Sequence, residues 1–383
     1  MNRSGRPGRR GVVREVDVDR ALELTRAGAV LIDVREPYEL AIGRPRGALH
    51  VPCGEVETQV PRLVPDRSRP VLLICAAGVR SRIAAETLAR LGYEEVASVA
   101  GGFDAWRAAR LPVEGPDGLT AEQRERYARQ IVIPEVGSEG QARLLRSKVL
   151  VVGAGGLGSP AALYLAAAGV GTIGIVDDDV VERGNLHRQV IHNEERLGTP
   201  KVDSAAKTLA ALNPSVRIEG YAERLTPENV ERILSRYEVV VDGSDNFATR
   251  YLVNDACVRL GIPDVQGAIH RFQGQVGVFW PGHGPCYRCL FPEPPPPGTA
   301  PPCAEAGVLG VLPGVIGSIQ GVEAIKLLLG IGRPLVGRIL LYDALAARFT
   351  ELEVHRDPEC RLCAEGRPFP GYGGASSCCG SSR

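Results

Sequence analysis

Apolar residues follow two rhythms along this chain. In "AVLIDVRE", "PVLLIC" and "EVASVAGG" they form short unbroken runs that stop at charged or small residues, as buried strands do. In "SRIAAETLARLG" they recur at helical spacing. The alternation predicts a compact α/β unit over residues 14–115. "VEGPDGLT" (113–120) breaks the pattern with turn residues. Thr120 and Gln123 then make a capping box for a helix through "RERYARQI". Beyond it, "SKVLVVGAGG" and "GTIGIVDDD" predict strands flanking the helix "LGSPAALYLAAAGV", a βαβ unit on a parallel sheet. "YEVVVDGSDN", "IPDVQGAI" and "QVGVFW" continue the strands, and "VIGSIQGVEAIKLLLG" predicts a helix. Between these, "FPEPPPPGTAPPC" cannot be regular structure, because proline lacks an amide donor. The expected organisation is a disordered tail (1–13), the first unit (14–115), a larger second unit (120–364) and a flexible tail (365–383).

Composition narrows the class. A chain of 383 residues suits two domains. Lys+Arg 45 balances Asp+Glu 45, so no global field favours nucleic acid or an anionic membrane. The arginines of the first fourteen residues read as a solvated tail. No signal-peptide segment follows the start, and the longest apolar stretch, Ala161 to Val176, is broken by three glycines, so no membrane span is expected. Ten cysteines without a secretion signal point to thiol or metal chemistry in a reducing compartment, hence a cytoplasmic protein.

"VVGAGGLGSP" places Gly153, Gly155 and Gly158 between a strand and a helix. Bare backbone can approach a phosphate there, and the helix start supplies free N–H groups. Asp177 closes the next strand, placed to accept from ribose hydroxyls. Asp179, Asn185, Arg188, Gln189 and Lys201 follow closely. Lys201 is a point charge and Arg188 a planar fork for phosphates, a cluster that ATP needs and hydride transfer does not. Asp245 and Asn246 end a further strand, where a carboxylate can hold Mg²⁺.

Two knuckles, "CYRC" (Cys286, Cys289) and "CRLC" (Cys360, Cys363), lie 70 residues apart. Two such pairs complete tetrahedral sulfur coordination of Zn²⁺, with no open position, so the metal is read as structural; a redox pair is the alternative. Cys303 follows the proline-rich loop, from which a thiol can reach a neighbouring site. Cys53, Cys257, Cys378 and Cys379 default to buried small residues or tail.

These motifs carry a resemblance. From "RYARQIVIPEVG" through "GAGGLGSP", "NLHRQVIH", "GTPK", "SDN", "CYRCLF", "CAEAGV", "GVIGSIQ" and "CRLC", residues 120–364 resemble the MoeB/ThiF adenylyltransferases, relatives of ubiquitin-activating enzymes. "LIDVRE", the loop "CAAGVR" from Cys75 to Arg80, and "GGFDAW" resemble a rhodanese domain over residues 14–115. Together they are similar to MoeZ-like adenylyltransferase/sulfurtransferases. The resemblance implies a rhodanese-like α/β domain followed by a Rossmann-like ThiF adenylation domain with a structural zinc site. It implies ATP-dependent adenylation of the C-terminal glycine of a ubiquitin-like sulfur-carrier protein. Gly156 and Asp177 would contact the nucleotide, Asn185, Arg188 and Lys201 its phosphates, and Asp245, beside Asn246, would hold Mg²⁺. Arg129 would be contributed across a homodimer interface, and Cys303 would take a thioester or disulfide role. In relatives that carry both domains the rhodanese unit usually comes second; here it comes first.

A thiolate cradled by backbone N–H groups, with Arg80 closing the loop, should have a lowered pKa and stabilise a persulfide. Cys75 would take sulfur from thiosulfate or a cysteine desulfurase and attack the acyl-adenylate. The competing readings are a zinc-containing NAD-dependent oxidoreductase, a carrier-docking scaffold with idle sites, and an ATP-dependent tRNA-modifying dehydratase. The carrier and its pathway (molybdopterin, thiamine, cysteine or thiolated tRNA) stay open.

Overall fold

The computed structural model describes residues 13–115, 118–296 and 307–372. The chain divides into two compact units between Arg129 and Gln130.

The first unit contains β1 (Arg14–Val16), β2 (Val30–Asp33), β3 (Arg44–Pro45), β4 (Leu49–His50), β5 (Val71–Ile74), β6 (Val96–Val99) and β7 (Val113–Glu114). Five of them form a parallel sheet in the order β1-β6-β5-β2-β4, while β3 pairs antiparallel with β7. Every residue of β2, β5 and β6 is buried, which is why these strands read as unbroken apolar runs. Along β5, Val71 and Leu73 pack with Ala84, Ala85 and Leu88 on one face, while Leu72 and Ile74 pack with Phe103 and Trp106 on the other. Each buried Val, Leu, Ile or Phe among them contributes about 1.5–3 kcal/mol through burial. The central strand β5 runs directly into Cys75.

The capping box forms as expected: Thr120 accepts from the Gln123 amide at 3.1 Å, and Gln123 accepts from the Thr120 amide at 2.9 Å. The helix it opens is not continuous. It spans Ala121–Arg126, then restarts at Ala128–Ile131, because the backbone leaves the helix at Tyr127, which is 2% exposed.

The second unit contains β8 (Lys148–Val152), β9 (Thr172–Val176), β10 (Arg217–Tyr221), β11 (Val239–Asp242), β12 (Asp264–His270), β13 (Gln273–Phe279), β14 (Arg338–Asp343) and β15 (Arg348–Glu353). The sheet order is β10-β9-β8-β11-β12-β13-β14-β15, parallel through β12 and antiparallel after it. The sheet grows from β8 toward β9 and β10 on one side and toward β11 on the other. That reversal opens a crevice at the carboxyl ends of β8 and β11. Three strands, β10, β14 and β15, escaped the sequence reading; β15 is exposed throughout, so no apolar rhythm marks it.

The helix Leu312–Leu329 is long and apolar enough to cross a membrane by length and composition, yet it packs on β11, β12 and β13. Gln320, at its middle, donates to the Asp242 and Val265 carbonyls at 2.8 and 2.9 Å, pinning it across the sheet.

The proline-rich segment is irregular over the described residues 291–296. Of the expected flexible tail, residues 365–372 pack back: the Phe369 ring meets Tyr372 and Arg259, and the Tyr372 hydroxyl donates to Glu231 at 2.7 Å. The aromatic pair supplies apolar area that the glycines around it hide from composition. Residues 1–12 and 373–383, where the remaining tail expectations fall, lie outside the described residues.

Candidate functional site

Each unit carries a candidate site at the carboxyl end of a central parallel strand.

In the first, the chain turns after β5 through Ala76, Ala77 and Gly78 into the helix Val79–Arg90. Gly78 has φ +99°, a left-handed position that glycine takes without strain. The turn aims the Gly78 amide at Cys75 Sγ, at 3.1 Å. Ser81 Oγ lies 3.4 Å from the same sulfur and 2.9 Å from Ser98 Oγ, all three groups being buried. Burial pushes the Cys75 thiol up. Hydrogen bonds from the Ser81 hydroxyl and the Ser81, Gly78 and Ala77 amides outweigh it, so the thiol sits below its ordinary range.

"GGFDAW" locks the loop from behind. The Phe103 and Asp104 amides donate to the Cys75 and Ala76 carbonyls at 2.7 and 3.1 Å. A Cβ on Gly102 would overlap both carbonyls. Arg80 closes the loop, but its guanidinium is clasped by Glu39 at 2.6 and 2.7 Å. Amides and a hydroxyl therefore carry the thiol's shift more than a free cation does. Sequence reasoning missed Glu39, Ser81 and Ser98; a serine inside the wholly buried "VASV" was the available signal.

In the second unit, the turn after β8 holds Gly153, Gly155, Gly156 and Gly158. A Cβ on Gly158 would overlap the Gly153 carbonyl, so the helix Gly158–Ala168 can approach its strand only with glycine there. A Cβ on Gly153 would lie 3.4 Å from the Gly243 carbonyl oxygen, so the turns after β8 and β11 touch through glycines. Gly243 went unnoticed in the sequence. Arg188 and Gln189 lie close to the glycine turn: a Gly156 Cβ would be 3.6 Å from Arg188 Cδ, and a Gly155 Cβ 3.7 Å from Gln189 Nε2.

Arg188 donates to Asn185 Oδ1 at 2.9 Å and, among the described residues, pairs with no carboxylate. An arginine steadied by a neutral amide keeps its charge for an anion. Lys201 is 5% exposed; its Nζ lies 2.7 Å from Asp179 and 3.9 Å from Asp177. Asp177 accepts from the Ala154 and Asp179 amides at 2.8 and 2.9 Å. Burial pushes its carboxyl up, with Lys201 and these amides opposing.

His192, absent from the sequence reading, braces the turn. Its Nε2 meets the Ala154 carbonyl and its Nδ1 the Ser204 hydroxyl, each at 2.9 Å, and burial holds its pKa down. Asp245 is exposed at the end of β11. Asn246 caps the helix Phe247–Leu260, accepting from the Thr249 amide at 2.9 Å.

The four knuckle cysteines converge. Their sulfurs all lie within 4.8 Å of one another, with neighbouring distances of 3.3, 3.7 and 3.9 Å. Four Zn–S bonds of about 2.3 Å in a tetrahedron require sulfurs roughly 3.8 Å apart, so the donor set fits zinc. Buried Arg288 holds "CYRC" in place by pairing with Asp255 at 2.6 Å, and Asn254 accepts from the Tyr287 amide at 2.8 Å. Cys257 is buried as expected, and burial pushes its thiol up. Arg129 falls in the first compact unit, and Cys303 is outside the described residues.

Known proteins match both units. The rhodanese-like domain model matches residues 17–109 and the ThiF family model residues 127–362. The chain is 59% identical over 251 residues to the sulfur carrier protein adenylyltransferase of Thermus thermophilus, covering 64% of this chain and 93% of that one. It is 56% identical to the SAMP-activating enzyme E1 of Haloferax volcanii, covering 65% and 92%. With the probable adenylyltransferase/sulfurtransferase MoeZ of Mycobacterium tuberculosis it shares 52% identity, covering 64% of each chain. The crystal structure of E. coli MccB with ATP shares the fold, with TM-score 0.56 at 22% identity over 62% of this chain and 73% of that one. The chain belongs to the ThiF family and carries a rhodanese-like domain ahead of its ThiF domain.

Proposed function

We propose that this chain adenylates the C-terminal glycine of a ubiquitin-like sulfur-carrier protein with ATP and then converts it to a thiocarboxylate with sulfur carried on Cys75. The observation that carries the reading is the pairing, in one chain, of a glycine crevice bearing an Arg188 that meets no carboxylate among the described residues with an amide-cradled thiol at Cys75.

In the first half-reaction the bare backbone at Gly153, Gly155, Gly156 and Gly158 admits the nucleotide, with Asp177 toward its ribose. Lys201 and Arg188, with Asn185 and Gln189 beside them, offset charge developing on the phosphates while pyrophosphate leaves. Asp179 holds Lys201 in its orientation. Asp245, with Asn246 beside it, is the residue for Mg²⁺, whose chemistry is phosphate charge neutralisation. Arg129 acts from the second subunit of a homodimer. Cys286, Cys289, Cys360 and Cys363 hold Zn²⁺ as a structural brace.

In the second, Cys75 takes a sulfur atom from thiosulfate or a cysteine desulfurase as a persulfide. Its terminal sulfur attacks the acyl-adenylate and AMP leaves, giving an acyl disulfide. The Cys303 thiolate then attacks the Cys75 sulfur. That breaks the acyl disulfide, frees the carrier thiocarboxylate and leaves a Cys75–Cys303 disulfide for a cellular thiol to reduce.

The test gives Cys75→Ala protein its carrier, ATP and thiosulfate. Thiocarboxylate should vanish while pyrophosphate exchange persists; undiminished thiocarboxylate removes Cys75 from the route. Exchange assayed with each small carrier protein of the same cell identifies the substrate.

A further inference from the structure

Arg80 is the charged side chain of the loop "CAAGVR", and Glu39 occupies both of its terminal nitrogens. The clasp is anchored from below. Glu39 sits on the short helix Pro37–Ile42; Arg35 donates to the Glu39 and Gly43 carbonyls at 3.3 and 2.7 Å. Arg35 is 1% exposed and locked to Asp33, 0% exposed, at 2.6 Å. The Glu36 amide donates to Glu39 Oε2 at 2.8 Å. Glu39 is thus held at its backbone and at its carboxylate, and Arg80 keeps its pKa down at about 2. Beside the pair, Tyr38, Ile42, Val79 and Ile83 are exposed and apolar, while Glu36, buried Arg35 and exposed Arg82 are the charged neighbours in sequence.

We infer that Glu39 is a positioning residue that sets which sulfur donors the Cys75 loop accepts, by occupying the guanidinium that a small dianionic donor would claim. The inference rests on Cys75 being the sulfur-accepting nucleophile. With thiosulfate, the Cys75 thiolate attacks the outer sulfur. The donor's S–S bond breaks, sulfite leaves with the bonding pair, and Cys75 keeps the sulfur as a persulfide. Donor and leaving group each carry two negative charges, and a carboxylate seated on Arg80 repels both. A singly charged organic persulfide meets less of that repulsion.

The experiment is steady-state sulfur transfer to cyanide by the full chain, with thiosulfate or cysteine persulfide as donor. Glu39→Gln removes the charge and keeps an acceptor for the Glu36 amide. It should lower the thiosulfate KM about five- to tenfold with kcat changed less than about twofold. The cysteine persulfide KM should stay within about twofold. Glu39→Ala must shift the thiosulfate KM the same way. An unchanged or raised thiosulfate KM, or an equal fall for both donors, overturns the inference. So does a KM rise of about tenfold in Arg82→Ala, because that exposed cation would then be the anion's receptor. If mass spectrometry finds no added sulfur on Cys75 in any of these proteins, the sulfur-carrier reading itself falls. A persulfide that forms on Cys75 at the same thiosulfate concentration with and without Glu39 removes only the role of Glu39.

Discussion

The two units solve the same geometric problem and fill it differently. Each ends a buried central strand, β5 or β8, in a tight turn that feeds a helix. In the first, the turn's amides converge on a sulfur the chain itself supplies, 2% exposed, with Ser81 and Ser98 behind it. In the second, glycines strip the turn to backbone, and the charges, Arg188 and Lys201, are brought in from a later segment. A built-in anion takes its direct donors from Ala77, Gly78 and Ser81 beside it in sequence; a visiting one needs residues that are distant in sequence. The first site is therefore nearly self-contained, while the second depends on the whole sheet.

That contrast can be attacked from its strongest point downward. Lys201→Ala should cut pyrophosphate exchange by about 10³-fold while sulfur transfer from thiosulfate to cyanide is retained, measured on the same preparation. A comparable loss in both assays would mean that the sites are not separable.

The glycines come next. Gly158→Ala forces a methyl into the Gly153 carbonyl and should cost more than about 3 kcal/mol by denaturant unfolding. Gly102→Ala, against the Cys75 and Ala76 carbonyls at φ +57°, should cost as much and raise the Cys75 pKa as well. Stability lost without any change in the thiol would show that the cradle does not depend on that backing.

Ser81→Ala removes the hydroxyl that lowers the Cys75 thiol and should raise its alkylation midpoint by about one pH unit. The sign follows from the lowered folded value. The folded state favours the thiolate, so this stabilisation is present above the ordinary cysteine pKa and is lost as pH falls through the lowered one. A midpoint that stays put would leave the amides alone in charge.

The smallest effect belongs to His192, whose folded pKa is depressed by burial. The unfolded chain binds the proton more readily, so stability is present above the ordinary histidine value and lost as pH drops below it. Thermal melts between pH 7 and pH 5 should fall by a few degrees more for the native chain than for His192→Gln.

Much of this was legible in one dimension. The apolar runs located β2, β5, β6, β8, β9 and β11, because strands covered on both faces carry few polar positions to blur them. The four-cysteine cluster was legible because each CxxC places two sulfurs on one turn. Exposed β15 was invisible for the opposite reason, as was the packing of Phe369 and Tyr372, two rings in a glycine-rich segment. At the candidate sites, the motif residues were found and their supports were not. Glu39 lies 41 positions from Arg80, and His192 lies 38 from Ala154, separations that no local pattern encodes.

By itself, then, the sequence determined most of the buried elements, the order of two α/β units, and the candidate groups: one thiol before a tight turn, one glycine-rich turn, two sulfur knuckles. These depend on residue type and short-range spacing, which chain connectivity preserves. Only the tertiary structure decided how those groups are charged and held. Whether Arg80 is free or clasped and whether Arg188 meets an acid depend on distances between segments far apart along the chain, and which way Cys75 titrates depends on how the folded turn aims its amides and the Ser81 hydroxyl. Electrostatic and hydrogen-bond energies change over a few ångströms, and folding sets those distances.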